Sequence, residues 1–135
     1  MCKALIVDDS LIFREAFRAE LLYRLPSILV QEAKDGREAM EKIHRILPSH
    51  IFMDMHLPGL DGLHLAQKIK TEFPDIHIAM LTGYDFPQYR WAANQYGVER
   101  YFVKDSLDWN EVGDFIQSNP QCDRVGQGPA IQGRG

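Results

Sequence analysis

Short apolar runs and longer amphipathic stretches alternate along the first 118 residues. "ALIV" (4–7) is a compact apolar run closed by Asp8 and Asp9. "LIFREAFRAELLYRL" (11–25) then spaces Phe13, Ala16, Phe17, Leu21 and Leu25 as one face of a helix. Ser10 is placed to cap its start, and Pro26 stops it. "ILVQEA" (28–33) predicts a strand, and "DGREAMEKIHRI" (35–46) a helix with Ala39, Ile43 and Ile46 on one side. "HIFMD" (50–54) predicts the third strand. "DGLHLAQKIKTEF" (61–73) is amphipathic through Leu65, Ile69 and Phe73, with Asp61 as its cap and Pro74 after it. "IHIAML" (76–81) is a strand. "FPQYRWAANQY" (86–96) is a helix with Pro87 in its first turn and Gly97 past its end. "RYFV" (100–103) is the fifth strand and "LDWNEVGDFIQ" (107–117) the fifth helix.

Five short apolar strands separated by helices of this length pair in parallel, with helices on both faces. Right-handed crossovers reduce the choices to a doubly wound α/β sheet with strand order 2-1-3-4-5. The expected division is one folded domain over 1–118 and a flexible tail or linker start over 119–135. That last stretch, "NPQCDRVGQGPAIQGRG", is rich in Gly, Pro and Gln and holds few residues that could bury.

Composition narrows the function classes. The chain has 135 residues, 45% of them apolar, enough for a single core. A net charge of -4 gives no general attraction to nucleic acid, and direct nucleic-acid binding by this chain is not expected. No stretch approaches the ~20 apolar residues of a membrane span, and no secretory signal is visible. Cys2 and Cys122 lie at opposite ends without a partner pattern, so two free thiols in a reducing compartment are expected. The five histidines, His44, His50, His56, His64 and His77, show no zinc-ligand spacing and are expected mainly at the surface.

The chemistry lies where the strands end. In a parallel sheet all strand C-termini share one edge, where ligands bind. Asp8 and Asp9 close the first strand, Asp54 the third, Thr82 and Gly83 the fourth, and Lys104 the fifth. Three carboxylates, a hydroxyl and an ammonium thus converge. Carboxylates this close take up a proton or share a cation, and an all-oxygen set suits Mg2+. A carboxylate beside Mg2+ and a lysine is a competent nucleophile toward phosphorus. Formation and loss of an aspartyl phosphate is the expected chemistry.

"LIVDDS", "DMHLPGLDGL", "MLTGY" and "YFVKD" together resemble the receiver domain of two-component response regulators, over about residues 3–118. The resemblance implies that a histidine kinase phosphorylates Asp54. It implies Asp9 as a direct Mg2+ ligand beside Asp54, Asp8 acting through water, and the backbone carbonyl of His56 as a further ligand. Thr82 becomes the switch hydroxyl, Tyr101 the switch aromatic and Lys104 the phosphate-binding lysine. It further implies a signalling switch that is not a turnover enzyme. Composition and cysteine usage point to a cytoplasmic domain, and movement of Thr82 and Tyr101 is expected to drive homodimerisation or partner release through the fourth helix, fifth strand and fifth helix. Asp105, not Pro, follows Lys104, so no cis bond is expected there. "YFVKD" and "VDDSLIFRE" are similar to the subgroup with a helix-turn-helix output domain, which would regulate transcription in a longer protein.

Plainer readings stand beside these. Asp8 and Asp9 alone would be turn acids, Lys104 a solvated strand-end lysine, and Tyr101 as readily core as switch. Trp91 falls opposite Tyr89, Ala92, Ala93 and Tyr96 on the fourth helix, facing a partner or covering a neighbouring helix. A stand-alone receiver is one alternative. A Mg2+-dependent aspartyl-phosphate phosphatase of the haloacid-dehalogenase type is another, but it needs an acid two residues after the nucleophile, where His56 stands. A nucleotide-binding domain would need a Gly-rich first turn in place of Asp8-Asp9-Ser10.

Overall fold

The computed structural model describes residues 2–119 and residue 122. Its elements are β1 (Lys3–Val7), α1 (Leu11–Arg24), β2 (Leu29–Ala33), α2 (Gly36–Ile46), β3 (His50–Asp54), β4 (His56–Leu57), β5 (Leu60–Asp61), α3 (Gly62–Glu72), β6 (His77–Thr82), α4 (Pro87–Gln95), β7 (Arg100–Val103) and α5 (Trp109–Gln117). A single 3-10 turn, Lys104–Ser106, follows β7. The main sheet is parallel with order β2-β1-β3-β6-β7, the doubly wound topology expected from the alternation.

Period-two alternation along the strands divides the core into two layers. On one face Leu5, Val7, Ile51, Met53, Ile78 and Met80 pack against α2, α3 and α4 through Ala39, Ile43, Leu65, Ile69 and Ala93. On the other, Ala4, Ile6, Phe52, Ala79, Leu81 and Phe102 meet α1 and α5 through Phe17, Leu21, Val112, Phe115 and Ile116. β3 is central, so all five of its residues are buried. A strand covered on both faces reads as a continuous apolar run, which is why its terminal carboxylate stands out.

Caps set the helix starts. Ser10 Oγ accepts from the Phe13 N–H at 3.2 Å, and Asp61 accepts from the Leu63 N–H at 2.9 Å, both as the sequence predicts. The last helix begins at Trp109 and not at 107, because Asp108 caps it by accepting from the Asn110 and Glu111 N–H groups. Between β3 and α3 lies an antiparallel pair that the sequence reading treats as a turn. His56 pairs with Asp61 and Leu57 with Leu60, around Pro58 and Gly59. Gly59 has φ +70°, the left-handed region that glycine tolerates.

Two expectations fail at the N-terminal edge of the sheet. Cys2 and Cys122 are not free thiols but a disulfide, with Cα atoms 5.0 Å apart. The winding brings the end of α5 back to the start of β1, a proximity that a sequence separation of 120 conceals. Cys122 is also buried, so this part of the expected flexible tail docks on the domain. The rest of that tail, 120–121 and 123–135, lies outside the described residues. The histidines do lie mainly at the surface, with His44, His56 and His64 exposed, and His50 is the fully buried exception.

Candidate functional site

The C-terminal edge of the sheet gathers the expected residues. β1 delivers Asp8, fully buried, and β3 delivers Asp54, almost as buried. Asp9, one residue further, is exposed. Carboxylate oxygens of Asp8, Asp9 and Asp54 all lie within 4.8 Å of one another. From the turn after β7, Lys104 Nζ donates to Asp8 Oδ2 at 2.6 Å and to Asp54 Oδ2 at 3.4 Å. Phe13 lies under the ammonium, 4.5 Å from it to the ring centroid.

Backbone groups hold both acids. The Ser10 N–H donates to Asp8 Oδ1 at 2.8 Å, so the start of α1 fixes the side chain. Arg14 Nη1 donates to the Asp8 carbonyl at 2.6 Å, while its Nε pairs with Glu32 at 2.9 Å. The His56 N–H donates to Asp54 Oδ1 at 3.1 Å. Gly62 lets α3 return onto this edge: a Cβ there would collide with the Asp54 carbonyl oxygen. Its N–H donates to the Met55 carbonyl at 2.9 Å. Arg14 and Gly62 are absent from the sequence-predicted set. Asp61-Gly62 following a strand end carried the signal for the second, and nothing local marked the first.

Burial pushes the Asp54 carboxyl up, and the neighbouring Asp8 charge adds to this. The His56 N–H and Lys104 oppose the shift without cancelling it. For Lys104, burial works against the ammonium, but the Asp8 hydrogen bond and both carboxylate charges outweigh it and hold its pKa above the usual lysine value. One ammonium faces three carboxylates, which leaves excess negative charge. The donors are all hard oxygens, so the set fits a divalent cation of the Mg2+ class.

Thr82 ends β6 fully buried. Its hydroxyl donates to the Tyr84 carbonyl and accepts from the Tyr84 N–H, both at 3.1 Å. Tyr101, on β7, is half-buried, and its hydroxyl donates to the same Tyr84 carbonyl at 3.0 Å. Arg90 on α4 covers the Tyr101 ring at 4.6 Å and pairs with Asp85 at 2.7 Å. The His56 ring meets Tyr84 and Tyr89 edge-on, with centroids 6.3 and 5.7 Å away. Trp91 is 68% exposed, so it does not cover a neighbouring helix. Among the described residues no helix is long and apolar enough to cross a membrane.

Known proteins resemble the chain in sequence and in fold. The chain is 34% identical over 107 residues to the oxygen regulatory protein NreC of Staphylococcus carnosus, covering 78% of this chain and 49% of NreC. It is 32% identical over 102 residues to the response regulator protein VraR of Staphylococcus saprophyticus, covering 76% of this chain and 49% of VraR. The chain thus spans about half the length of these relatives. A two-component response regulator of the LuxR family from Aurantimonas superposes with a TM-score of 0.77 at 28% identity, over 87% of this chain and 84% of that one. The signal receiver domain of a DNA-binding response regulator from Colwellia psychrerythraea shares the fold, with a TM-score of 0.83 at 20% identity over 90% and 99% of the two chains. The family profile described as the response regulator receiver domain matches residues 4–112, from the first strand to the last helix. With its acids and lysine at the expected strand ends, the chain belongs to the response regulator receiver domain family of two-component signalling.

Proposed function

We propose that Asp54 accepts a phosphoryl group from the phosphohistidine of a partner kinase, and that this alters the face formed by α4, β7 and α5. The observation that supports it most is the buried Asp54 carboxylate held between the His56 N–H and Lys104. A carboxylate is costly to bury unless it is paired and hydrogen-bonded, and the cation that pairs with Asp54 is the one that would neutralise a transferring phosphoryl group. An Asp54 oxygen attacks phosphorus, the P–N bond to the donor imidazole breaks, and its electron pair stays on the ring nitrogen. The His56 N–H orients the nucleophile. Lys104, anchored on Asp8, neutralises charge on the transferring oxygens. Asp9 and Asp54, with Asp8 and the His56 carbonyl, would hold Mg2+, which supplies further neutralisation of phosphoryl charge when bound.

The aspartyl phosphate offers new acceptor oxygens. Thr82 turns its hydroxyl from Tyr84 toward one of them, which frees half of the Tyr84 carbonyl and space for the Tyr101 ring. One charge-assisted hydrogen bond of about 1.5–3 kcal/mol biases the two arrangements by roughly 10- to 150-fold. The output is a homodimer, or release of a partner, through the α4–β7–α5 face. Within a longer cytoplasmic protein this controls transcription. The names of relatives support that step: one is the transcriptional regulatory protein YesN of Bacillus subtilis. Turnover of external phosphoesters is not proposed, because position 56 offers no carboxylic acid.

Incubation with a small phosphodonor tests the reading. Incorporation of one phosphoryl group that requires Mg2+ and is abolished by chelation supports it; turnover of a generic phosphoester without labelling of the protein would favour the phosphatase.

A further inference from the structure

The N-terminal edge of the sheet, opposite Asp54, holds a second cluster of reactive groups. Cys2 leads into β1, Ser49 and His50 open β3, and Cys122 lies just past α5. The two sulfurs and the imidazole are buried. His50 Nε2 donates to the Phe115 carbonyl at 3.2 Å, which assigns the ring proton to that nitrogen. Nδ1 therefore presents a lone pair to Ser49 Oγ at 2.9 Å and to the sulfurs of Cys122 and Cys2 at 3.8 and 4.0 Å. Burial, with the nearby His77 charge, pushes the imidazole down to about 4, so it is neutral under physiological conditions.

We propose that Cys2 and Cys122 form a reversible thiol–disulfide site for small thiols and disulfides of the glutathione class, and that its oxidation fastens the C-terminal end of α5 to the sheet. The proposal rests on the cytoplasmic reading above in one respect. In a reducing compartment thiols are kept reduced, and the disulfides that form there are mostly exchanging ones. Reduction begins when local opening at the C-terminal end of α5 uncovers the buried bond and a thiolate attacks one sulfur. The S–S electron pair leaves on the other cysteine, which takes a proton. A second thiolate then attacks the mixed disulfide, releasing the remaining cysteine and one disulfide of the reagent. Two electrons and two protons enter the protein, and the reverse reaction uses the oxidised reagent.

Geometry supports both states. In the reduced state His50 Nδ1 can accept from one thiol and Ser49 Oγ, 3.4 Å from the Cys2 sulfur and 3.7 Å from that of Cys122, from the other, so each new donor has an acceptor within reach. In the oxidised state Cys122 tethers the helix end: its N–H donates to the Asn119 carbonyl at 2.9 Å, and the Asn119 N–H to Ile116 at 3.3 Å. Phe115 carries the signal inward, since its carbonyl accepts from His50 and its ring packs on Phe52 with centroids 5.4 Å apart. The tethered end belongs to α5, the helix that also contributes to the α4–β7–α5 face.

The full chain would be equilibrated at a series of reduced-to-oxidised glutathione ratios, quenched in acid, alkylated and weighed intact, with hydrogen exchange followed in parallel. The expected result is one transition between a disulfide and two free thiols, reached from either side, with loss of amide protection over 111–118 on reduction. Cys122→Ser should lose both the transition and this response. Two thiols that stay alkylatable in oxidised glutathione would overturn the proposal. So would a disulfide that resists excess reduced glutathione without denaturant, or a reduced pair shielded by one equivalent of added Zn2+. Asp54→Asn should show the same transition, so failure of phosphorylation leaves this result standing.

Discussion

Thr82 and Tyr101 donate to a single acceptor, the Tyr84 carbonyl oxygen, at 3.1 and 3.0 Å. They sit on adjacent strands, β6 and β7, so the end of one strand senses the side chain of the other. Each hydroxyl occupies one of the two acceptor positions of that oxygen, so the two side chains lie side by side at one carbonyl.

Thr82→Ala should therefore separate phosphorylation from its output. The variant keeps Asp54 and Lys104 and should accept a phosphoryl group normally. It loses the hydroxyl that would turn toward the phosphate, and the Tyr84 N–H loses an acceptor, at a cost of about 1 kcal/mol in stability. Sedimentation of phosphorylated protein should show association for the parent and none for the variant.

Lys104→Ala should destabilise the fold as well as block chemistry. It leaves Asp8, fully buried, with the Ser10 N–H and no cation. The loss should be roughly 3 kcal/mol, at the low end for breaking a buried pair, since the Lys104 side chain is 21% exposed. Urea unfolding of the two proteins measures this directly.

Asp54→Asn should raise stability at neutral pH. The folded state lifts the Asp54 pKa, chiefly by burial. A group with a raised folded pKa contributes stability below its unfolded value and loses it as pH rises through the folded one. The Asn variant escapes that loss. Thermal melts should place it above the parent near neutrality, with the gap closing as pH falls below the ordinary carboxylate value of about 3.9.

Most of this architecture was legible because β1, β3, β6 and β7 each carry a short apolar run closed by a polar or charged group. Asp54 stands out at the end of "HIFMD" because a strand buried on both faces admits no other charge. Ser10 and Asp61 could be assigned as caps since capping depends on positions one turn apart. The β4–β5 pair escaped, because two-residue strands carry no period and Pro58-Gly59 marks only the turn between them. The Cys2–Cys122 bond escaped for a different reason: it depends on where winding returns the chain, not on local pattern. His50 gave one overlooked clue, a polar residue opening a strand otherwise wholly apolar up to its terminal acid. The bond from Thr82 to Tyr84 also escaped, since a hydroxyl rotamer leaves no trace in sequence.

Metal affinity should distinguish the two adjacent acids. Both oxygens of Asp8 are engaged, Oδ1 by Ser10 and Oδ2 by Lys104, whereas Asp9 is exposed beside the cluster. Calorimetric titration with Mg2+ should therefore show a larger loss for Asp9→Asn than for Asp8→Asn. Equal losses would contradict the assignment of Asp9 as the direct ligand.

The most direct test is to locate the phosphoryl group by peptide mass spectrometry after treatment with a small phosphodonor and Mg2+. One group on the peptide containing Asp54, absent from Asp54→Asn and from protein treated with chelator, is the predicted result. Unchanged labelling of Asp54→Asn, or a group mapped to Asp8 or Asp9, would contradict the account.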